Sequence, residues 1–298
     1  MTRIRIGTRG SALALWQANH VRDSLAALGH EVEIRVIVTT GDRVLDRRLE
    51  NVGGKGAFLK EIEEAMAARE VDLAVHSLKD VPTLLPDGLA LCAFLERADP
   101  RDGLLSGGAR LVELPAGARV GTTSLRRQSL VRALRPDLVL EDLRGNVDTR
   151  IRRLREGAFD AILLAMAGLT RLGRAGEVTE ALDPRVFVPA PGQGAIALEC
   201  RAADDAVRAA AAALDHAPTA RAVTAERAFL AALGGGCNVP LGAHALHAPP
   251  ELELVGFVAA PDGSACLRGA TRGSDPVAVG RALAEELLAR GAGPLLSH

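Results

Sequence analysis

Hydrophobic and polar positions along this chain fall into short blocks that switch between two periods. Residues 4–7 (IRIG) read as a short strand running into the turn Thr8-Arg9-Gly10-Ser11. Ser11 is placed to cap a helix through Leu13, Leu15, Trp16 and Val21, since its hydroxyl can accept from the free N–H groups of the first turn. Residues 31–39 alternate polar and apolar side chains, the period of a half-buried strand. Residues 41–56 are polar and contain several glycines, which predicts a long mobile loop. Phe58, Ile62, Ala65 and Met66 return to helical spacing and predict a helix over 57–68. Residues 71–78 are an apolar strand that ends at Lys79-Asp80-Val81-Pro82.

This strand, helix, strand alternation predicts a largely parallel sheet with functional loops at the strand C-termini. The pattern restarts after residues 98–102. Strands are expected at 119–121, 138–140 and 159–165, with helices starting after Thr122-Thr123-Ser124 and after Leu143-Arg144-Gly145-Asn146. Residues 189–194 (PAPGQG) read as a hinge or return crossing into a strand at 195–199. Helices follow at 205–214 and 219–233, then a hairpin of 252–258 with 265–270 around Pro261-Asp262-Gly263, and a closing helix at 276–290. The expected fold is α/β: two similar halves with a cleft between them, plus a small α+β C-terminal domain. The divisions are 1–95 with 195–214, 96–194, and 215–298.

At 298 residues, 48% hydrophobic and 24% charged, the chain is long enough for two or three domains with ordinary cores. A net charge of −1 excludes a whole-molecule electrostatic fit to nucleic acid, and 2% aromatics leave few stacking platforms. No apolar run approaches a membrane span, and Arg3, Arg5 and Arg9 interrupt any leader-like segment, so a cytoplasmic protein is expected. Cys92, Cys200, Cys237 and Cys266 lie far apart with no C-x-x-C, against a zinc ribbon or a dense disulfide framework.

All but three of the 36 basic residues are arginine, and the lysines (Lys55, Lys60, Lys79) fall between positions 55 and 79. From Arg119 to Arg155 there are ten arginines against four acids. Arg126 and Arg127 follow a turn at a helix start, where backbone N–H groups already favour anions. Arg144 sits in a second such turn, with Arg150 one helical turn later. The expectation is a cleft lined with carboxylate or phosphate binders, for which the bidentate guanidinium is suited. Arg152, Arg153 and Arg155 read as a solvated helix face.

Asp80 closes a strand apolar enough to be buried, where a partly desolvated carboxylate can accept N–H bonds and stabilise a nearby cation; the alternative is a turn aspartate before Pro82. His76, inside the same strand, reads as a packed core residue. Cys237 stands in the run Gly234-Gly235-Gly236-Cys237-Asn238-Val239-Pro240, where three glycines bare the approach and Pro240 stiffens the exit. A phosphate loop at 53–56 fails because Leu49 and Gly56 occupy the diagnostic positions, and Gly192-Gln193-Gly194 is too short for a dinucleotide fingerprint. Cys237 with His244 and His247 fits no common metal spacing, and no metal is expected.

Nine runs taken in order resemble the porphobilinogen deaminase (hydroxymethylbilane synthase) family: GTRGSALALWQ at 7–17, VGGKG at 52–56, HSLKDVP at 76–82, ADPRD at 98–102, GTTSLRRQ at 121–128, LRGNV at 143–147, AMAGL at 165–169, PAPGQG at 189–194 and GGCNVP at 235–240. The resemblance implies a transferase that joins porphobilinogen units head to tail into a linear tetrapyrrole of the haem and porphyrin route, with loss of ammonia. It implies two domains like those of periplasmic binding proteins and a third that carries a dipyrromethane cofactor, bound by a thioether to Cys237. By the same resemblance Asp80 is the catalytic carboxylate. Lys79, Ser124, Arg126, Arg127 and Arg144 hold the cofactor, while Arg9, Ser11, Lys55, Phe58, Arg144, Arg150, Arg171 and Gln193 line the substrate site. A monomer is implied, working on porphobilinogen and the growing oligopyrrole without nucleic acid or membrane. Asn51 stands where some members carry a second lysine, and Asn238 where glutamine is frequent.

Two other readings compete. Two α/β halves around an anion-binding cleft also describe a solute-binding module, in which Cys237 is idle. A cysteine hydrolase is the other, weakened because no histidine is evidently placed beside Cys237 as a base.

Overall fold

The computed structural model describes residues 1–43, 59–234 and 239–296. The chain forms two compact units, residues 1–98 with 195–221, and residues 99–194 with 222–298. The expected loop at 41–56 lies outside the described residues except at its start, where Gly41 belongs to a short helix instead.

The first unit opens with β1 (Arg3–Thr8), α1 (Ala12–Ala27) and β2 (Glu31–Val36), followed by α2 (Thr40–Arg43), α3 (Lys60–Ala67), β3 (Leu73–Ser77) and β4 (Leu89–Phe94). Ser11 caps α1 as its position predicts, its hydroxyl accepting from the Ala14 N–H at 3.3 Å. In the second unit the chain makes β5 (Asp102–Ser106), β6 (Arg119–Gly121), α4 (Leu125–Leu134), β7 (Val139–Glu141), α5 (Val147–Arg155), β8 (Ala161–Ala165), α6 (Met166–Arg171) and β9 (Glu180–Ala181). It returns to the first unit as β10 (Ile196–Arg201) and α7 (Asp205–Ala212), and α8 (Ala217–Ala232) leads out again. The chain ends with β11 (Leu241–Ala248), β12 (Glu251–Ala259), β13 (Cys266–Gly273), α9 (Pro276–Ala289) and α10 (Gly293–Leu296).

The first sheet has the order β2-β1-β3-β10-β4, with β1 parallel to β2 and β3. β3 is buried on both faces. Leu73 and Val75 face Val21 and Leu25 of α1, while Ala74 faces Ile62 and Met66 of α3, the two-residue alternation of a strand. The second sheet has the order β7-β6-β8-β5-β9, with β6 parallel to β7 and β8.

Both sheets are mixed, with four strands of each running one way and a fifth, β10 in the first and β5 in the second, running against them. β10 runs antiparallel to β3 and β4, and β5 antiparallel to β8 and β9. The local pattern reports only strands joined by a crossover helix, which must be parallel. β5 and β10 enter their sheets directly after the chain passes between units, at 98–99 and 194–195, so no crossover helix sets their direction.

The C-terminal strands form a three-stranded antiparallel meander, β11-β12-β13. The predicted hairpin is present and extends to 251–259 with 266–273; β11 is an addition the pattern did not reveal. Alternate residues of β12 face two cores. Val255, Phe257 and Ala259 pack with Val120 and Leu163 of the second sheet, and Leu252, Leu254 and Val258 with Phe229 of α8 and Leu283 and Leu287 of α9. α8 and α9 approach so closely that a Cβ at Gly280 would lie 2.4 Å from the Ala225 carbonyl oxygen.

Candidate active site

β1 and β3 are parallel neighbours, so both end on the same edge of the first sheet, the edge where ligands bind in open α/β sheets. β1 gives way to Arg9 and the Ser11 cap, and β3 to one tight helical turn over Leu78–Asp80. Arg9, Ser11, His76 and Asp80 thereby line one open cavity of about 100 Å³. Gln17 of α1 donates to the Ser77 hydroxyl at 2.9 Å, tying the helix to the end of β3 beside the cavity. The Leu78 N–H donates to Ala195 O at 3.0 Å and anchors the turn that carries Asp80 to the start of the returning strand. Asp80 and Lys79 are both half-buried.

The cavity lining includes a carboxylate, Asp80, and an arginine, Arg9, beside a helix N-terminus. Such a site can accept N–H bonds from one part of a ligand and hold an anion at another.

Under the cavity a second acid is present. His76 is 7% exposed, and its Nε2 lies 2.9 Å from Oε2 of Glu199, which is 0% exposed. Glu63 of α3 faces the same pair, and burial followed by the Glu199 charge pushes its carboxyl above the usual range.

In the second unit three of the predicted site residues, Arg126, Arg127 and Gln193, gather around one residue that sequence reasoning missed. Asp102 on β5 is fully buried. The Arg126 Nη2 reaches its Oδ2 at 2.7 Å, and Arg127 donates to Oδ1 through Nε and Nη2 at 3.0 and 2.7 Å. Gln193 adds an amide bond to Oδ1 at 3.1 Å and another to Pro100 O at 2.7 Å. Burial pushes the Asp102 carboxyl up, but the two guanidinium groups outweigh it and hold the carboxyl at about 2. Arg126 and Arg127 also donate to backbone, at Val188 O and Leu163 O. Ser124 caps α4, accepting from the Arg127 N–H at 3.4 Å.

Arg144 is half-buried in the turn before α5. Gly145 there has φ +105°, a conformation only glycine adopts without strain, and Arg150 donates back to its carbonyl at 2.8 Å. Arg171 ends α6 and donates to Gly194 O at 2.7 Å; burial pulls its guanidinium down to about 10. Lys55, Phe58 and Cys237 lie outside the described residues. His244, drawn in the sequence with Cys237 and His247, sits 3.5 Å from the buried carboxylate of Glu226.

The structure thus brings Arg9, Ser11 and Asp80 together in one unit, and Arg126, Arg127 and Gln193 around Asp102 in the other. Gln17, Ser77, Glu199 and Asp102 were not singled out by the sequence. Asp102 alone had a signal, as a lone acid opening the buried strand Asp102–Ser106.

Comparison with known proteins places the chain in a family. Residues 4–209 match the family model "Porphobilinogen deaminase, dipyromethane cofactor binding domain", and residues 220–289 match its C-terminal domain. A porphobilinogen deaminase of Brevibacillus brevis is 52% identical over 302 residues, covering 100% of this chain and 98% of the relative. Those of Roseiflexus castenholzii and Geobacter sulfurreducens are 55% and 50% identical, covering 99% and 100% of this chain and 98% and 95% of their own. Among solved structures, the methionine-binding protein MetQ aligns over 71% of this chain and 89% of its own, with a TM-score of 0.42 and 15% identity. With relatives at half identity or better along the whole length, and two family models that follow one another along it, this chain belongs to the porphobilinogen deaminase family.

Proposed function

We propose that this protein condenses porphobilinogen head to tail with release of ammonia, giving the linear tetrapyrrole hydroxymethylbilane, and that Asp80 carries the chemistry. The observation that supports this reading is the cavity shared by Arg9, Ser11 and Asp80 in a member of this family. Porphobilinogen presents a pyrrole N–H and two carboxylates. Asp80 accepts the N–H, and Arg9 with the N-terminus of α1 binds an acetate or propionate.

As the aminomethyl C–N bond breaks, ammonia leaves with the electron pair and the substrate ring becomes cationic. A carboxylate already bonded to that ring stabilises the positive charge as it forms, in a half-buried site where a fixed charge acts more strongly than in water. The same donor set fits the dipyrromethane of the family, whose rings carry the same N–H and carboxylate groups. Lys79, Ser124, Arg126, Arg127 and Arg144 would hold it, with Cys237 as its thioether anchor. When bound, that group supplies the fixed end from which the chain grows. Arg144, Arg150, Arg171, Lys55, Phe58 and Gln193 complete the substrate set. Asp102 holds Arg126 and Arg127 in fixed orientation, so their charge is presented without a conformational search.

The reading includes three domains, 1–95 with 195–214, 96–194 and 215–298, in a cytoplasmic monomer. Among the described residues no helix is long and apolar enough to cross a membrane.

Intact mass of the purified protein, with peptide mapping, tests the reading. A dipyrrole-sized increment on the Cys237 peptide, absent from Cys237→Ser, is the expected result. A wild-type chain that carries no increment and consumes no porphobilinogen overturns it.

A further inference from the structure

The Asp80 cavity contains a second proton acceptor that the sequence reading placed in the core. Cross-strand register explains why it is there. Ala74 of β3 stands opposite Glu199 of β10, and His76 opposite Ala197, so His76 and Glu199 share one face of the sheet as diagonal neighbours. That face packs on α3, which seals Glu199 from water completely. A carboxylate with no solvent costs several kcal/mol unless it is compensated. Its Oε2 is bonded to His76, and its Oε1 has no hydrogen-bond partner among the described residues. Among the described residues, one carboxylate therefore depends on one imidazole for its only hydrogen bond.

The imidazole also borders the cavity. Glu199 takes Nε2, so Nδ1 is the ring nitrogen not engaged by that carboxylate, on a residue that lines the cavity with Arg9 and Asp80. Among the described residues, Glu63 of α3 is a further titratable group facing the pair.

The proposed reaction needs two services from this site that conflict in a single group. While Asp80 accepts the ring N–H and steadies the cation, its charge is engaged and it is a poor base. After the new C–C bond forms, the attacked ring must lose the proton from its joined carbon. That C–H pair returns to the ring and restores its aromaticity, and the proton needs an acceptor. We infer that His76, with its ring fixed by the buried Glu199, is that acceptor. Nδ1 receives the ring proton while Asp80 remains bonded to N–H, and releases it to solvent before the next unit enters. His76 is then a catalytic base and Glu199 its positioning residue; the inference rests on the condensation reading above.

The test uses the loaded holoenzyme, confirmed by mass. Steady-state kcat is followed from pH 5 to 9 for wild type, His76→Asn and Glu199→Gln. Each is given ordinary porphobilinogen and porphobilinogen deuterated at its free ring carbon. His76→Asn is expected to keep its dipyrrole increment, lose about 10- to 100-fold in kcat, and acquire a deuterium isotope effect because carbon deprotonation becomes slow. Its profile should lose an ionisation that wild type shows between pH 5 and 8, the range in which histidines titrate. Glu199→Gln should move that ionisation toward acid, since an amide does not stabilise imidazolium.

A His76→Asn enzyme with wild-type kcat, no isotope effect and an unchanged profile overturns the assignment. Should that variant not fold, the wild-type profile decides, because a flat kcat between pH 5 and 8 is equally fatal to it. A wild-type protein that does not consume porphobilinogen at all instead overturns the condensation reading and this inference with it.

Discussion

Asp80 and Asp102 are both aspartates at the edges of buried strands, yet their surroundings give them opposite uses. Asp102 is wholly enclosed and its charge is spent on Arg126 and Arg127. Asp80 lies at the mouth of a cavity, on a turn held by Leu78 and Ala195. The Asp80→Asn change preserves shape and removes charge. Turnover should fall by about 10²- to 10³-fold, the usual cost of losing one electrostatic stabiliser, while the dipyrrole mass increment is retained. Steady-state kinetics together with intact mass check this, and near-normal turnover would refute the role of Asp80. Asp80 was read in the sequence as a strand-edge acid, whereas Asp102 was not. Nothing local separated them, because the difference lies in partners 24 and 25 residues away for Asp102.

At the scale of elements, the strands and helices that carry the site were legible wherever a cap or a period marked them. Ser11, Ser124 and Asn146 cap their helices through side-chain bonds to Ala14, Arg127 and Thr149. β11 escaped notice because small residues and histidines along Leu241–Ala248 blur its alternation. Packing between elements was equally invisible. Gly280 reads as a mild flaw inside an amphipathic helix, whereas in the structure it is where α9 meets the backbone of α8. Gly280→Ala should therefore destabilise the protein by about 1–3 kcal/mol through overpacking, against the few tenths gained from helix propensity. Urea unfolding gives the sign, and a stabilised variant would contradict this packing.

At the scale of the molecule, each compact unit holds its own depressed carboxylate. In the first unit burial pushes Asp72 up, but bonds from Arg5 and Arg201 at 2.8–3.0 Å outweigh it and hold the carboxyl at about 2. Asp102 does the same in the second. A folded-state value below the unfolded one, near 3.9, means the stabilisation is complete above about pH 4. It fades as pH falls toward 2 and both carboxylates protonate. Asp102 contributes about 2 kcal/mol in this way, and Asp72 less, since its partner Arg5 reaches solvent. Unfolding free energy measured from pH 5 to pH 2 should fall throughout this window, and Asp102→Asn should flatten the fall. An acid limb identical in that variant would dismiss the Asp102 contribution.

The local periods, caps and ordered motifs determined, without any structure, that this chain has two α/β sheets, a C-terminal antiparallel hairpin and the residues of a porphobilinogen deaminase. Those features depend on neighbours within a few turns, and a single chain displays them directly. Only the tertiary structure decided that both sheets are mixed, that Arg126 and Arg127 are clamped by Asp102, and that His76 is paired with Glu199 beside Asp80. Glu199 stands 123 residues beyond His76. It reaches the histidine because the chain leaves the first unit, builds the whole second sheet and returns antiparallel. Hydrophobic alternation records which face of a strand is buried, but not which strand will lie beside it, and the His76–Glu199 pair depends on the second.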